Sequence, residues 1–133
     1  MIRAENRFDE YSYRVASVDL DPTATVEEGQ FVTIKAGKLV LADKTSPKAF
    51  LAIGSNRKGR NQVAGKIVGK ISFLVGDSVV SVSNFDATKV YTDDMTPLTV
   101  VAGNVCPVEL ATDLVVAYAI GKPQNGFLRI IVA

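Results

Sequence analysis

VTIKAGKLV, from Val32 to Val40, recurs in the second half of the chain as LTVVAGNVC, from Leu98 to Cys106. Each copy has an apolar run that contains a Thr, then an Ala-Gly pair, then a second run with apolar residues. Glycine adopts positive φ without a steric cost, so an Ala-Gly pair between two β-prone runs predicts a hairpin turn. We expect a three-residue loop with a bulge, in which a type I turn closes on Gly37 in the first copy and on Gly103 in the second.

The similarity extends beyond the two hairpins. FLAIGS, residues 50–55, matches AYAIGK, residues 117–122, and their separation exceeds that of the hairpins by a single position. An acidic pair also precedes each hairpin, Glu27-Glu28 in the first copy and Asp93-Asp94 in the second. The shared order of hairpin, Ala-Ile-Gly strand and Gly turn favours an internal duplication over chance similarity between hairpins. We therefore predict that residues 26–60 and 92–127 are pseudo-repeats.

The other apolar runs are also typical of strands. KISFLV, residues 70–75, and SVVSVS, residues 78–83, flank Gly76-Asp77, where Gly at the first central position predicts a type II′ hairpin turn. Asn125-Gly126 separates two further runs and is the strongest short hairpin signal in the chain. Helical periodicity is nearly absent. The sequence predicts an all-β fold: residues 26–133 form one compact barrel or sandwich of about eight to ten strands.

Composition excludes several functional classes. The chain is 47% apolar and its net charge is +1, so no bulk charge indicates binding to nucleic acid or a membrane. It has no His and one Cys, Cys106, which we expect to be a buried, inert thiol. We expect no catalytic residues, no metal and no cofactor. No apolar run approaches the ~18 residues of a transmembrane helix, and residues 1–15 lack the apolar core of a signal peptide.

Two segments are predicted to contact a partner protein. Residues 1–25 are polar and are expected to form an extended N-terminal arm or edge strand, and GSNRKGRNQ, residues 54–62, is a basic loop. Arg and aromatic side chains are common interface anchors. The alternatives are an unstructured terminus and a solvated loop tip. The predicted contact residues are Arg3, Arg7, Phe8, Tyr11, Tyr13, Arg57, Lys58 and Arg60.

Part of the sequence resembles the capsid decoration, or cement, proteins of tailed bacteriophages. The resemblance rests on GQFVTIKAGKL, Gly29 to Leu39, on AYAIG, Ala117 to Gly121, and on NGFLRI, Asn125 to Ile130. In that family a similar Gly-turn hairpin precedes a strand of small residues and a C-terminal Asn-Gly turn. The resemblance implies a β-rich head protein.

The resemblance also implies a function without catalysis. Such a protein is made in the bacterial host cytoplasm and binds, commonly as a homotrimer, to the major capsid protein on the outside of the assembled shell. It would stabilise the shell by contacts between capsomers, and weak contacts repeated over a lattice add up to high avidity. One alternative is another phage structural part: a tail-tube, fibre-base or head–tail joining protein. The others are a small bacterial binding module and a self-processing enzyme that forms a pyruvoyl group at Gly54-Ser55.

Overall fold

The computed structural model describes residues 2–4, 14–19, 21, 24–53, 62–63, 66–67, 70–75 and 78–132. These residues form strands and turns without a helix, which confirms the all-β prediction, and none of their segments is a helix long and apolar enough to cross a membrane. The strands are β1 (Ile2–Ala4), β2 (Arg14–Asp19), β3 (Phe31–Lys35), β4 (Lys38–Leu41), β5 (Phe50–Leu51), β6 (Gln62–Val63), β7 (Lys66–Ile67), β8 (Lys70–Val75), β9 (Ser78–Val82), β10 (Met95–Val101), β11 (Asn104–Pro107), β12 (Ala117–Ile120) and β13 (Leu128–Val132).

The strands make a sandwich-like arrangement of antiparallel sheets. A six-stranded sheet has the order β1-β9-β13-β12-β10-β11, and a three-stranded sheet has the order β4-β3-β5. The pairs β2-β8 and β6-β7 complete the described ladders. A bridge between Ala52 and Phe73 connects the end of β5 to β8. These ladders stay open, so the architecture is a sandwich rather than a barrel.

The two Ala-Gly hairpins are present, but their turns differ from the prediction. Lys35 pairs with Lys38, and Val101 pairs with Asn104, so each loop has two residues and no bulge. Both loop residues have positive φ: 52° and 77° at Ala36-Gly37, and 49° and 82° at Ala102-Gly103. This is the type I′ turn, whose twist matches that of the flanking strands. The predicted left-handed glycines are therefore confirmed, and the three-residue loop is wrong.

The predicted duplication extends to the pairing register. In the first copy Val32 pairs with both Leu41 and Phe50. In the second copy Leu98, which is the equivalent of Val32, pairs with Pro107 and Ala117. The partners of Val32 and Leu98 are also equivalent in sequence. Leu41 corresponds to Pro107 in the alignment of the two hairpins, and Phe50 corresponds to Ala117 in the alignment of FLAIGS with AYAIGK. The strand orders β4-β3-β5 and β11-β10-β12 are therefore equivalent.

The strands on either side of Gly76-Asp77 do not form the predicted hairpin. β8 pairs with β2, whereas β9 pairs with β1 and β13 in the six-stranded sheet. Two apolar strands joined by a short Gly-containing link can pair with each other as a hairpin, or they can belong to different sheets. The sequence pattern alone does not distinguish these two arrangements. Gly76 itself lies outside the described residues.

The hairpin at Asn125-Gly126 is confirmed. Gln124 and Phe127 exchange two backbone hydrogen bonds of 2.9 and 3.0 Å across the turn. Asn125 has a φ of 54° and Gly126 a φ of 79°, which is again type I′. β12 and β13 pair on either side of this turn.

The predicted N-terminal arm contributes strands to two sheets. β1 is the edge strand of the six-stranded sheet, and β2 pairs with β8 along its whole length. The backbone N–H of Asp21 also donates to the carbonyl of Leu39 in β4, at 3.0 Å. The described strands of the predicted arm therefore pair with other strands of the fold, as an edge strand does.

Both faces of the three-stranded sheet contain buried side chains, although the end of its hairpin, including Ile34, is exposed. On one face Phe31 and Leu51 pack against the inner face of the six-stranded sheet. The inner-face side chains are Val80, Val82, Leu98, Val100, Val105, Ala117, Ala119, Leu128, Ile130 and Val132. On the other face a smaller cluster contains Val26, Val32, Leu39, Ala52 and Phe73. Each large side chain buried in this way contributes about 1.5–3 kcal/mol.

The turn of the second hairpin joins the two sheets. The N–H of Gly103 donates to the carbonyl of Ala42 at 2.9 Å, and its carbonyl accepts from the N–H of Phe31 at 2.8 Å. A Cβ at Gly103 would lie 2.6 Å from Leu41 Cδ2 and 3.3 Å from Gln30 Cβ, so a side chain here would force its neighbours to move, and the positive φ of 82° also favours glycine. The turn of the first hairpin has no such neighbour in the described part of the chain, where nothing lies within 4 Å of a Cβ at Gly37.

This difference predicts unequal effects of alanine in the two turns. Gly37→Ala and Gly103→Ala both place an L-residue at positive φ, which costs about 1–2 kcal/mol. Gly103→Ala additionally forces Leu41 or the turn to move, and such overpacking costs about 1–3 kcal/mol more. Urea unfolding should therefore show the larger loss of stability for Gly103→Ala. Equal losses would contradict the docking role of this turn.

The exposed first turn also predicts a stabilising substitution. Ala36 has a φ of 52°, and Asn tolerates this region better than Ala. Ala36→Asn creates the preferred Asn-Gly type I′ pair and should raise the free energy of unfolding by about 0.5–1 kcal/mol. Lys35→Asn, one residue earlier in β3, is the control and should lower stability, because Asn is unfavourable in strands. A lower urea midpoint for Ala36→Asn would contradict the turn assignment.

Candidate functional site

The structure describes only one of the predicted contact residues. Arg3 lies in the edge strand β1, where its backbone pairs with Ser81 of β9. The contact predictions that lie outside the described residues are Arg7, Phe8, Tyr11, Tyr13, Arg57, Lys58 and Arg60. Gly54-Ser55, the self-processing alternative, lies outside them as well. These predictions stay predictions.

A cleft of about 520 Å³ lies over the outer face of the second hairpin. Side chains alternate along β10, so Leu98 and Val100 point to the core while Thr99 and Val101 lie on the opposite face. Cys106 of β11 pairs with Thr99. The lining residues of this hairpin cleft are Lys44, Phe85, Asp86, Ala87, Lys89, Thr99, Val101, Asn104, Cys106, Pro107, Glu109 and Asp113.

Aspartate-capped turns build the walls of the hairpin cleft. Asp86 Oδ1 accepts from the N–H and the hydroxyl of Thr88, at 3.0 and 2.6 Å, and these bonds lower the pKa of Asp86. Asp113 Oδ2 accepts from the N–H groups of Glu109 and Leu110, at 3.2 and 3.1 Å. Such side-chain bonds hold a loop in one conformation. The carboxylates of the wall are therefore positioned by the local sequence.

An ion pair connects two walls of the cleft. Lys89 Nζ lies 3.1 Å from Glu109 Oε1, and this contact raises the pKa of Lys89. Both side chains are substantially exposed, so the pair contributes little to stability. Within the cleft, the charges of Lys89 and Glu109 therefore already neutralise each other.

Thr99 lines the cleft with an unsatisfied hydroxyl. The residue is 2% exposed, and its Oγ1 has no hydrogen-bond partner among the described residues. Leaving a buried hydroxyl unpaired costs about 1–3 kcal/mol. The equivalent residue of the first copy, Thr33, is 8% exposed and does not line this cleft. The lining of the cleft therefore contains a buried hydroxyl that lacks a described partner.

The electrostatic environment of Cys106 is negative. Burial raises the pKa of its thiol, and the carboxylates of Asp86, Glu109 and Asp113 raise it further. Lys89 alone acts in the opposite direction. Cys106 is half-buried, so it is less enclosed than the buried thiol expected from the sequence. A raised pKa keeps the thiol protonated at neutral pH, which agrees with the prediction of low reactivity.

Tyr91 anchors the connector that carries Phe85 and Asp86. Its ring packs edge-on against Phe85 with centroids 5.8 Å apart, and its hydroxyl donates to the carbonyl of Asp86 at 3.0 Å. The connector also adds to the edge of β11, because Asp86 N–H donates to the carbonyl of Val105 at 2.9 Å. The cleft wall is thus fixed to the core.

Exposed apolar side chains lie in the lining of the hairpin cleft and next to it in the chain. Val101 lines the cleft and is 51% exposed. Val90 and Leu110 are 82% and 56% exposed, and each directly follows a lining residue, Lys89 or Glu109, in the sequence.

A second cleft, of about 580 Å³, lies beside the β12-β13 turn. Its charged lining residues are Asp93, Lys122 and Arg129. Neither cleft suggests a metal centre, since the described part of the chain contains no group of three His, Cys, Asp or Glu residues that could hold an ion.

Sequence reasoning missed the hairpin cleft because its residues are far apart in the chain. The lining spans Lys44 to Asp113 and includes residues of three loops. One local signal was available: Asp86-Ala-Thr88 repeats the pattern of Asp43-Lys-Thr45, and in both the Asp accepts from the Thr two residues later. This pattern identifies a turn, but it does not indicate which turns meet.

Comparison with known proteins provides no family assignment. No family model matches the chain, and no curated protein or solved structure matches it.

Tyr91 predicts a loss of stability at alkaline pH. Burial, assisted by Asp86 and Cys106, raises its pKa to about 12, whereas the unfolded phenol ionises near pH ~10. Between these values the unfolded chain binds fewer protons than the folded chain, so the free energy of unfolding falls as pH rises. Urea unfolding from pH ~9 to ~12 should show a shallower fall for Tyr91→Phe than for the wild type. If the free energy of unfolding fell equally steeply with pH in the wild type and in Tyr91→Phe, Tyr91 would not be the cause of the alkaline loss of stability.

Proposed function

We propose that this chain is a structural protein that binds the outside of an assembled bacteriophage shell, without catalysis, and stabilises it by contacts with the major capsid protein. The sequence resemblance supports this proposal, and two of its three segments fall in β12, β13 and the turn between them. The protein would act as a homotrimer on the capsid exterior. Trimers that bridge capsomers add up many weak contacts.

The structural observation behind the proposal is the exposed apolar surface of the second copy. Five of the six large apolar side chains that are exposed in the described part of the chain lie between residues 90 and 115: Val90, Met95, Val101, Leu110 and Val115. Single exposed apolar residues are ordinary, but a group of them within one short stretch of the chain favours a protein-binding surface. The second copy is therefore the proposed shell-facing part.

A co-sedimentation experiment tests the proposal. Purified chain mixed with empty, expanded shells should sediment with them, and light scattering of the free protein should give three times the chain mass of 14.2 kDa. Absence of binding to expanded shells would overturn the decoration function. An intact chain mass after prolonged incubation separates this function from the self-processing alternative, which requires cleavage at Gly54-Ser55.

The N-terminal arm is best tested by substitution. Deleting residues 1–16 would remove β1 and half of β2, which pair with β9 and β8, so lost binding would be difficult to separate from lost folding. Combined replacement of Arg7, Phe8 and Tyr11 by Ala should weaken shell binding with an unchanged β spectrum. Unchanged binding would leave the arm without a role at the shell.

A further inference from the structure

We propose that the hairpin cleft receives an arginine side chain of the partner protein. The proposal rests on the proposed function for the identity of that protein, the shell subunit. The cleft itself is argued from its own charges, its unpaired hydroxyl and its apolar lining.

The charge of the lining favours a cation. Three carboxylates and two ammonium groups line the cleft. Lys89 and Glu109 neutralise each other, which leaves Asp86 and Asp113 against Lys44 and gives a formal excess of one negative charge. Burial is the main cause of the raised pKa of Cys106, and the charges around it add to the shift with the same sign, since three carboxylates raise the pKa and one lysine lowers it.

Acceptor atoms remain for a guanidinium. Asp86 bonds Thr88 through Oδ1, and Asp113 bonds two backbone N–H groups through Oδ2, so the second oxygen of each carboxylate has no hydrogen bond in the described part of the chain. The Thr99 hydroxyl is also unpaired and accepts from an N–H donor. A guanidinium has five N–H donors in one plane and holds its charge at every working pH. It therefore carries enough donors to use more than one of these acceptors.

The surroundings suit burial of such a side chain. Phe85 lines the cleft, and aromatic rings attract guanidinium groups. Val101 lines the cleft with a half-exposed apolar side chain, which a docked protein would cover so that water is excluded from the polar interior. Arginine in a pocket ringed by apolar contacts is a common interface anchor.

Cys106 provides the reporter, since it is the single cysteine of the chain and lines the cleft. The experiment measures its alkylation by neutral N-ethylmaleimide in the presence of N-acetyl-argininamide. At a probe concentration about ten times its dissociation constant, alkylation should slow about tenfold. N-acetyl-citrullinamide has nearly the same shape without the charge and should leave the rate unchanged. Equal protection by the two probes, or none by either, would overturn the proposal.

Matched variants locate the effect. Asp86→Asn and Asp113→Asn together keep an oxygen for the turn hydrogen bonds but remove both charges, and should abolish protection by the arginine probe. Asp93→Asn, in the other cleft, is the control and should retain it. Thr99→Val should weaken protection and preserve or raise stability, because it removes an unsatisfied hydroxyl. Thr33→Val, the equivalent change in the first copy, should leave protection unchanged.

Shell binding by the same variants separates the two proposals. If wild-type protein binds shells and the Asp86→Asn, Asp113→Asn protein binds them equally well, the arginine proposal is overturned and the decoration function stands. If the wild type fails to bind shells while N-acetyl-argininamide protects Cys106, the decoration function fails and the cation site stands. Thermal unfolding of each variant checks that its fold is intact, and Thr99→Val provides a second test if the double variant unfolds.

Discussion

The contact between the Ala102-Gly103 turn and the first sheet holds the two halves of this protein together. Two backbone hydrogen bonds connect Gly103 to Phe31 and Ala42, and the side chain of Gln30 adds a bond to Asn104 at 3.0 Å. The approach is close enough that a single methyl group at Gly103 would collide with Leu41. Because this turn lies where β3 begins and β4 ends, it sets how the six-stranded sheet covers the three-stranded sheet.

The two predicted pseudo-repeats have the same strand order and register but lie in different surroundings. Equivalent strands pair in equivalent register, and each copy alternates one apolar face with a second face that contains a Thr. In the first copy both faces are covered, one by Phe73 and its neighbours and one by the second copy. In the second copy the inner face packs in the core, and the outer face, as far as the structure describes the chain, carries the hairpin cleft. One sequence unit thus acts as an internal layer and as a surface.

Hairpins and their glycines were predictable because they depend on local backbone chemistry. Positive φ at Gly37, Gly103 and Gly126 follows from the residue type and its neighbours in sequence. The same reasoning was wrong for Gly76-Asp77, where β8 and β9 join different sheets. It also missed the cleft, because no local pattern indicates that Lys44 and Asp113 lie beside Thr99.

The sequence by itself determined the strand class, the duplicated hairpin and the left-handed turns, since alternation and glycine geometry act within a few residues. The tertiary structure alone decided which turn docks, which face remains outside and which carboxylates share a cleft. The physical reason is that these outcomes depend on contacts between residues far apart in the chain. Leu41, for example, meets Gly103 only after both sheets have packed, and Asp86 meets Asp113 around one cleft only when two capped turns are brought to the same hairpin.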